Sequence, residues 1–243
     1  MKPFLLLSTR DHEGAADGEY ASFLAFTGLP PERLHRIRLV LDPDADIELG
    51  RYAGVFLGGS PFNSSDPLEE KSAVQVAVEA RLRQLLDTVV AEDVPFLGAC
   101  YGVGTLGVFT GGVVDRTYAE PISAVRVTLT EAAASDPLCA DLPAVFDAYV
   151  GHKEAVRDLP PGAVLLASSA TCPVQMFRLK QNLYATQFHP ELDAAALAQR
   201  IEVYKYEGYF PPEQAEDLKR EVAAADVEAS HAVLRRFAEH YGG

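Results

Sequence analysis

Short apolar runs separated by long mixed stretches dominate the first hundred residues. The runs cover residues 3–8, 36–41, 54–57 and 95–98. Strands that are buried on both faces of a parallel sheet have continuous apolar runs of this kind, and the stretches between them are long enough for crossover helices. This half of the chain therefore predicts a Rossmann-like or flavodoxin-like α/β fold, with a mainly parallel sheet and helices on both faces.

The clearest helix is predicted over residues 69–92. Apolar residues recur there at helical spacing with charged residues between them, at Val74, Val78, Leu82, Leu85, Leu86 and Val89. This spacing places the apolar side chains on one face of a helix. We expect that face to pack against the sheet.

The pattern changes after residue 113. Runs at 124–129, 145–150, 163–168, 174–179 and 183–188 indicate strands with turn residues between them, so the second half of the sheet is predicted to be partly antiparallel. Residues 192–206 and 212–240 return to helical patterns. With no linker or repeat in the sequence, we expect a single domain over residues 1–243. Its core would be 1–191 and its helical C-terminal extension 192–243.

Aromatic residues cluster in the middle of the predicted helical extension, at Tyr204, Tyr206, Tyr209 and Phe210. A strip of this kind is typical of a segment that docks against a protein core. We expect these side chains to hold the extension in place.

Composition and charge narrow the class of protein. The net charge of −14 opposes nucleic-acid phosphates and anionic membrane surfaces as partners, which favours a small-molecule substrate. No apolar run has the length of a membrane span or signal peptide, so the expected location is cytoplasmic. Three cysteines without a C-x-x-C spacing indicate neither a disulfide framework nor a structural zinc site, and no metal or other cofactor is expected.

One cysteine has the setting of a nucleophile. The sequence Gly98-Ala99-Cys100-Tyr101-Gly102 follows an apolar run and precedes a helix-compatible stretch. Flanking glycines permit a sharp strand-to-helix turn, and the start of the helix supplies N–H groups and a positive dipole end. We expect Cys100 to be a catalytic thiol, in preference to a buried structural cysteine.

A base and a carboxylate occur much later, in Phe188-His189-Pro190-Glu191. The spacing of His189 and Glu191 allows both side chains to lie on one side of an extended segment, as a Cys-His-Glu triad requires. The alternative for Glu191 is to cap the helix predicted from residue 192. Two backbone N–H groups are candidates for an oxyanion hole, those of Gly59 and Tyr101.

Together these residues resemble the class I glutamine amidotransferases, in particular the amidotransferase domains of GMP synthetases and their stand-alone relatives. Four motifs in family order carry the resemblance: Gly58-Gly59-Ser60-Pro61, Gly98-Ala99-Cys100-Tyr101-Gly102, Gly151-His152-Lys153-Glu154-Ala155-Val156 and Gln187-Phe188-His189-Pro190-Glu191. The resemblance implies Cys100 as nucleophile, His189 as general base and acid, and Glu191 as the residue that orients it. It also implies a γ-glutamyl thioester intermediate.

The chain departs from this family in the residues expected to border the substrate, which here are Ser60, Gly104 and Glu120. The family usually has a glutamine at the position of Gly104, and a glycine two residues after the position of Glu120, where this chain has Ile122. We expect a pocket opened at Gly104 and weak use of free glutamine, which Gly104→Gln would improve.

Three functions follow from this combination. The first is an amidotransferase-like enzyme that cleaves a γ-glutamyl amide and passes ammonia to a separate subunit, because the chain has no room for a synthetase domain. The second is a stand-alone γ-glutamyl hydrolase or peptidase acting on a γ-glutamyl conjugate. The third is a regulatory protein that binds a γ-glutamyl metabolite without turnover, against which the complete triad argues.

Overall fold

The computed structural model describes residues 1–140, 142–206 and 210–243. Its described residues form a nine-stranded sheet and a separate two-stranded sheet. Five neighbouring strands of the large sheet are parallel, in the order β2-β1-β3-β4-β11. They are β1 (Phe4–Ser8), β2 (Leu34–Arg38), β3 (Val55–Leu57), β4 (Phe96–Ala99) and β11 (Leu183–Thr186).

The large sheet continues from β11 with four antiparallel strands, in the order β10-β9-β6-β7. Their bounds are Met176–Leu179 for β10, Val164–Ser169 for β9, Glu120–Leu129 for β6 and Val145–His152 for β7. The predicted change to antiparallel pairing in the second half is confirmed. The small sheet pairs β5 (Val113–Asp115) with β8 (Ala155–Asp158), and the sequence pattern did not indicate it.

Helices cover both faces of the sheet, as predicted. On one face α1 (Glu13–Thr27) and α6 (Ala232–Gly242) pack against side chains such as Phe4 and Phe56. On the other face α2 (Ala73–Glu92) and α3 (Tyr101–Phe109) pack against Leu5 and Leu57. Neighbouring residues of β1 therefore bury their side chains on opposite faces, which explains the continuous apolar run.

Helix α2 begins four residues later than predicted. Ser72 has an extended backbone, and its side chain accepts a hydrogen bond from the N–H of Gln75, so it caps the helix. The preceding residues Leu68–Glu70 form a separate 3-10 turn. From Val78 onward the predicted apolar face is buried, whereas Val74 in the first turn is 47% exposed.

The C-terminal region contains α4 (Ala194–Val203), α5 (Ala215–Ala223) and α6. The prediction of one helix over 212–240 is wrong in its middle, because Asp226 accepts a hydrogen bond from the N–H of Glu228 and starts a new turn there. Helices α4 and α5 share an apolar cluster with Tyr149 of β7. Within the described ranges, no helix is both long and apolar enough to cross a membrane.

The predicted aromatic strip does not act as one unit. Phe210 packs at the edge of the α4–α5 cluster, whereas Tyr206 is 81% exposed. Tyr204 lies elsewhere, at the cavity that contains Cys100. Tyr209 lies outside the described residues.

Candidate active site

Cys100 lies on a sharp turn between β4 and α3, as the sequence predicts. Its backbone is at φ 53° and ψ −94°, a strained conformation for a residue with a side chain. The turn is tight because Gly98 lies against Gly102, and a Cβ on Gly98 would lie 2.8 Å from the carbonyl carbon of Gly102. The Cys100 N–H donates to the carbonyl oxygen of Thr186 at 2.8 Å, which ties the turn to the end of β11.

His189 and Glu191 follow the end of β11 and form a buried pair. His189 Nδ1 lies 2.8 Å from Glu191 Oε1, and the side chain of Glu191 is fully buried. The His189 imidazole also lies close to Cys100, which acts on its pKa, and the two residues border the same cavity. The structure therefore brings together the three residues that the sequence predicts as a triad.

The charges of these groups support one another. Burial by itself lowers the pKa of His189, but the negative charges of Glu191 and Cys100 outweigh it and raise that pKa to about 9. For Glu191, burial raises the pKa, but His189 and Arg200 together hold it well below its usual range. An ionised Glu191 can only accept a hydrogen bond, so His189 Nδ1 carries the proton between them.

Glu191 does not cap the helix that follows it, because Asp193 is the cap. Helix α4 begins at Ala194, and the side chain of Asp193 accepts a hydrogen bond from the N–H of Ala196 at 2.7 Å. Because Asp193 caps the helix, Glu191 is left to contact His189.

The candidate oxyanion donors lie on either side of Cys100. Of the residues described, none accepts a hydrogen bond from the backbone N–H of Gly59 or of Tyr101. Gly59 is closely surrounded, since an added Cβ would lie 2.8 Å from Arg10 Nη2 and 3.1 Å from His189 Cε1. A glycine is therefore needed at position 59 for the backbone to approach the triad.

A network of buried charges that no motif predicts supports the triad. Arg200 Nη1 donates to Glu191 Oε1 at 3.1 Å, and Arg200 Nη2 lies 3.8 Å from Glu19 Oε1. Arg10 Nε donates to the same oxygen of Glu19 at 2.8 Å. Two arginines and two carboxylates are therefore paired in alternation behind His189, which offsets the cost of burying them.

Two features of the sequence point to this network, one just after a strand and one on the apolar face of a helix. Arg10 comes two residues after a parallel strand, and the carboxyl ends of parallel strands meet at the edge of the sheet where Cys100 also lies. Arg200 interrupts the apolar face that Leu197 and Ile201 define on α4. A charged residue at such a buried position indicates a buried partner.

Two cavities meet at Cys100. The first lies on the side of His189, and its lining is Arg10, Ser60, Cys100, Ile122, Val150, Gly151, His189, Leu197, Arg200 and Tyr204. The second is more polar, with a lining of Ser60, Phe62, Asn63, Cys100, Tyr101, Gly151, His152, Lys153, Glu154 and Gln187. Ser60 borders both cavities, and its side chain also accepts a hydrogen bond from the N–H of Phe62.

The space beside Gly104 is filled and not open. A Cβ at this position would lie 2.8 Å from Glu154 Oε1 and 3.1 Å from Ser64 Oγ. The Glu154 carboxylate accepts hydrogen bonds from the N–H groups of Ser64 and Ser65, each at 2.7 Å. Glu154 thus occupies the volume beside Gly104 and holds the loop that follows Gly59.

Glu120 is placed apart from both cavities at Cys100. Its buried carboxylate accepts hydrogen bonds from Gln175 Nε2 at 2.8 Å and from Thr171, and it lies 2.8 Å from His152 Nε2. His152 itself borders the polar cavity. The carboxylate of Glu120 therefore reaches the polar cavity through His152.

An α/β fold with a strained cysteine turn, a buried His-Glu pair and two backbone N–H groups beside the cysteine has the chemical groups that acyl transfer by a thiol requires. The sequence profile of the family "Glutamine amidotransferase class-I" matches residues 35–202, and the chain belongs to this family.

Two relatives are named as glutamine-hydrolysing subunits of GMP synthase. The protein of Methanocaldococcus jannaschii is 30% identical over 140 residues, which cover 57% of this chain and 64% of that protein. The protein of Pyrococcus abyssi is 28% identical over 151 residues, which cover 62% of this chain and 72% of that protein. The match spans 22% of the longer glutamine-hydrolysing GMP synthase of Thermosipho africanus.

Solved structures share the fold over nearly the whole chain. A glutamine amidotransferase from Thermotoga maritima has a TM-score of 0.76 at 20% identity, covering 99% of this chain and 98% of that chain. A glutamine amido transferase from Methylobacillus flagellatus has a TM-score of 0.71 at 24% identity, and the match covers 99% of this chain and 92% of that chain. At these identities the likeness concerns the fold.

Proposed function

We propose that the protein hydrolyses a γ-glutamyl amide through a covalent thioester on Cys100. One observation carries the proposal: Cys100, on its strained turn, borders the same cavity as the buried His189–Glu191 pair and acts on the pKa of His189. A binding protein without turnover has no need of a strained nucleophile or of an elevated histidine pKa.

The reaction runs in two halves. The Cys100 sulfur attacks the γ-carbonyl carbon, and the N–H groups of Gly59 and Tyr101 stabilise the oxyanion. The C–N bond breaks as His189 gives its proton to the leaving nitrogen, which departs as the free amine. Water, deprotonated by His189, then attacks the thioester, the C–S bond breaks, and glutamate leaves the thiol free again.

The charge network gives each residue a role in these steps. Glu191 accepts a hydrogen bond from His189 Nδ1, which directs Nε2 toward the sulfur and stabilises the imidazolium. His189 and Arg200 together keep Glu191 ionised. Ser60, Gly104 and Glu120 are proposed to shape the acyl side of the site, the last two through Glu154 and His152.

The leaving amine distinguishes the possible substrates. If the substrate is glutamine, the amine is ammonia, and the relatives named as one subunit of a GMP synthase support a separate protein as its acceptor. Larger γ-glutamyl amides use the same chemistry and release a larger amine. Either reaction is served by residues 1–243, which we propose to act as one domain.

The proposal is tested by following glutamate release from glutamine and from a panel of γ-glutamyl amides. We expect release by the native protein, loss of release in Cys100→Ala, and near-native release in Cys139→Ala, which alters a buried thiol. Equal release by Cys100→Ala would overturn the proposed mechanism. Saturable binding of these compounds with no release from any of them would instead favour a regulatory protein.

A further inference from the structure

The cavity on the His189 side of Cys100 has a definite chemical character. Its walls include the aliphatic side chains of Ile122, Val150 and Leu197, and its polar groups include Arg10 and Tyr204. Arg200 also borders the cavity, where it is paired with Glu191. Aliphatic walls with cationic groups are suited to a small organic anion.

Arg10 is fixed in place and has one nitrogen directed at the reaction site. Its Nε donates to Glu19 Oε1 at 2.8 Å and its Nη1 to Tyr204 Oη at 3.0 Å. Its Nη2 has no hydrogen-bond partner within the described ranges and lies against Gly59, beside Cys100. The guanidinium is therefore already oriented, and a ligand atom can bind Nη2 without moving it.

Arg10 remains charged despite its burial. Burial lowers its pKa, but the Glu19 carboxylate and Tyr204 outweigh this and raise the pKa above its ordinary value. The carboxylate of Glu19 interacts with both arginines, because Arg200 Nη2 also lies 3.8 Å from Glu19 Oε1. The charge of Arg10 is therefore not satisfied by Glu19 alone. The Arg10 guanidinium can thus make a charge-assisted hydrogen bond to an incoming anion.

The position of His189 shows which part of the substrate enters this cavity. His189 borders this cavity and is absent from the lining of the polar one. Since His189 must reach the leaving nitrogen to protonate it, the amine departs on this side. Ammonia has neither an anionic group for Arg10 nor a carbon chain for Leu197 and Ile122.

We infer that the substrate is a γ-glutamyl amide of an α-amino acid, that is, a γ-glutamyl dipeptide with an aliphatic second residue. This inference rests on the proposed function and names its substrate class. The α-carboxylate of the leaving amino acid binds Arg10 Nη2, and its side chain packs against Leu197, Ile122 and Val150. One water molecule is consumed, and the products are glutamate and the free amino acid, with no ammonia formed.

A matched pair of substrates tests the inference. γ-Glutamyl-valine and γ-glutamyl-valinamide differ only in the terminal group, an anionic carboxylate in the first and a neutral carboxamide in the second, and glutamine lacks the second residue altogether. We expect kcat/KM for γ-glutamyl-valine to exceed that for the amide by about tenfold or more, as one charge-assisted hydrogen bond provides. Glutamine should be the poorest of the three.

Variants then assign the preference to Arg10. Arg10→Gln should reduce the ratio between the two substrates to near one, whatever its effect on the absolute rates. The matched control Arg126→Gln changes an exposed arginine on β6 and should keep the native ratio. A second variant, Leu197→Asp, places a negative charge in the same cavity and should reverse the preference toward the amide.

The outcomes separate this inference from the proposed function. Equal cleavage of both dipeptide analogues by the native protein, or best cleavage of glutamine, would overturn the inference and leave the thiol chemistry standing. A native preference that both cavity variants retain would overturn the assignment to Arg10. Failure to release glutamate from any of the three compounds would count against the proposed function itself.

Discussion

His189 owes its elevated pKa to the charges of Glu191 and Cys100, and Glu191 is in turn stabilised by Arg200. At the scale of single residues, the three residues Cys100, His189 and Glu191 therefore lie at one end of a buried series of charges. Its behaviour should depend on pH in a direction that follows from these pairs.

Replacement of Glu191 by glutamine removes the negative charge that keeps His189 protonated. The native His189 holds its proton up to a pH of about 9, so activity that needs this proton falls as the pH rises through that value. In Glu191→Gln the pKa of His189 falls, and the alkaline limb of the kcat/KM profile should move to lower pH. Steady-state rates measured across the pH range check this.

The same variant also tests the relative importance of the three residues. Removing the nucleophile or the base eliminates the covalent route, whereas removal of Glu191 leaves an imidazole that still samples the right tautomer. Glu191→Gln should be roughly a hundredfold less damaging than Cys100→Ser or His189→Ala. An unchanged pH profile with native activity would leave Glu191 a purely structural role.

Gly104→Gln should lower activity, in contrast to the improvement that the sequence suggests. The new side chain would begin 2.8 Å from Glu154 Oε1, displacing the carboxylate that holds the N–H groups of Ser64 and Ser65. Gly104→Gln/Glu154→Ala removes the obstruction and should recover part of the loss. Glutamate release by both variants is the measurement, and higher activity in the single variant would contradict this view of the pocket.

At the scale of elements, a prediction concerns the turn between β4 and α3. In Gly98→Ala the added Cβ meets the Gly102 backbone at 2.8 Å, so strand and helix must move apart. We expect a loss of about 1–3 kcal/mol in the free energy of unfolding, and a larger fractional loss of activity. Denaturant titration and glutamate release measure the two effects.

A matched control for Gly98→Ala lies in the same chain. Gly50 has no atom within 4 Å of an added Cβ and no positive φ, so Gly50→Ala should leave stability and activity nearly unchanged. Equal effects of the two substitutions would show that close packing at the turn is not what requires a glycine.

The sequence predicts those parts of the site that lie within one turn. Cys100 is marked by its flanking glycines, and His189 by its close neighbour Glu191. Arg10 and Arg200 are missed because they reach the site from separate elements, and only the fold brings them within 4 Å of Glu19. The role of Glu154 is missed for the same reason, since it fills space beside a residue of α3 from the loop between β7 and β8.

At the scale of the whole molecule, the C-terminal helix is part of the main core. Phe237 of α6 packs against Phe56 and Phe4, with ring centroids 5.1 and 6.1 Å apart. The apolar pattern predicts α6 only as the end of one helix over 212–240, and pattern alone cannot show that α6 closes one face of the first strands. The predicted boundary at residue 191 therefore marks the end of the family motifs, whereas the hydrophobic core continues across it into α6.

Phe237→Ala should destabilise the entire protein. The loss of a fully buried aromatic ring is expected to cost about 3–5 kcal/mol in the free energy of unfolding, within a single transition. Tyr206→Ala, at a ring that is 81% exposed, is the control and should have little effect. Thermal or denaturant unfolding decides, and a separate early transition in Phe237→Ala would argue for an independent C-terminal unit.

The central claim is that Cys100 carries the γ-glutamyl group during turnover, and acid quenching of the working enzyme tests it most directly. The intact mass should rise by one glutamyl group, and peptide mapping should place that group on Cys100. Cys139 and Cys172 should remain unmodified, because burial raises the pKa of each to about 12 and keeps it protonated. A glutamyl group on another residue, or glutamate release that persists in Cys100→Ala without any adduct, would contradict the account.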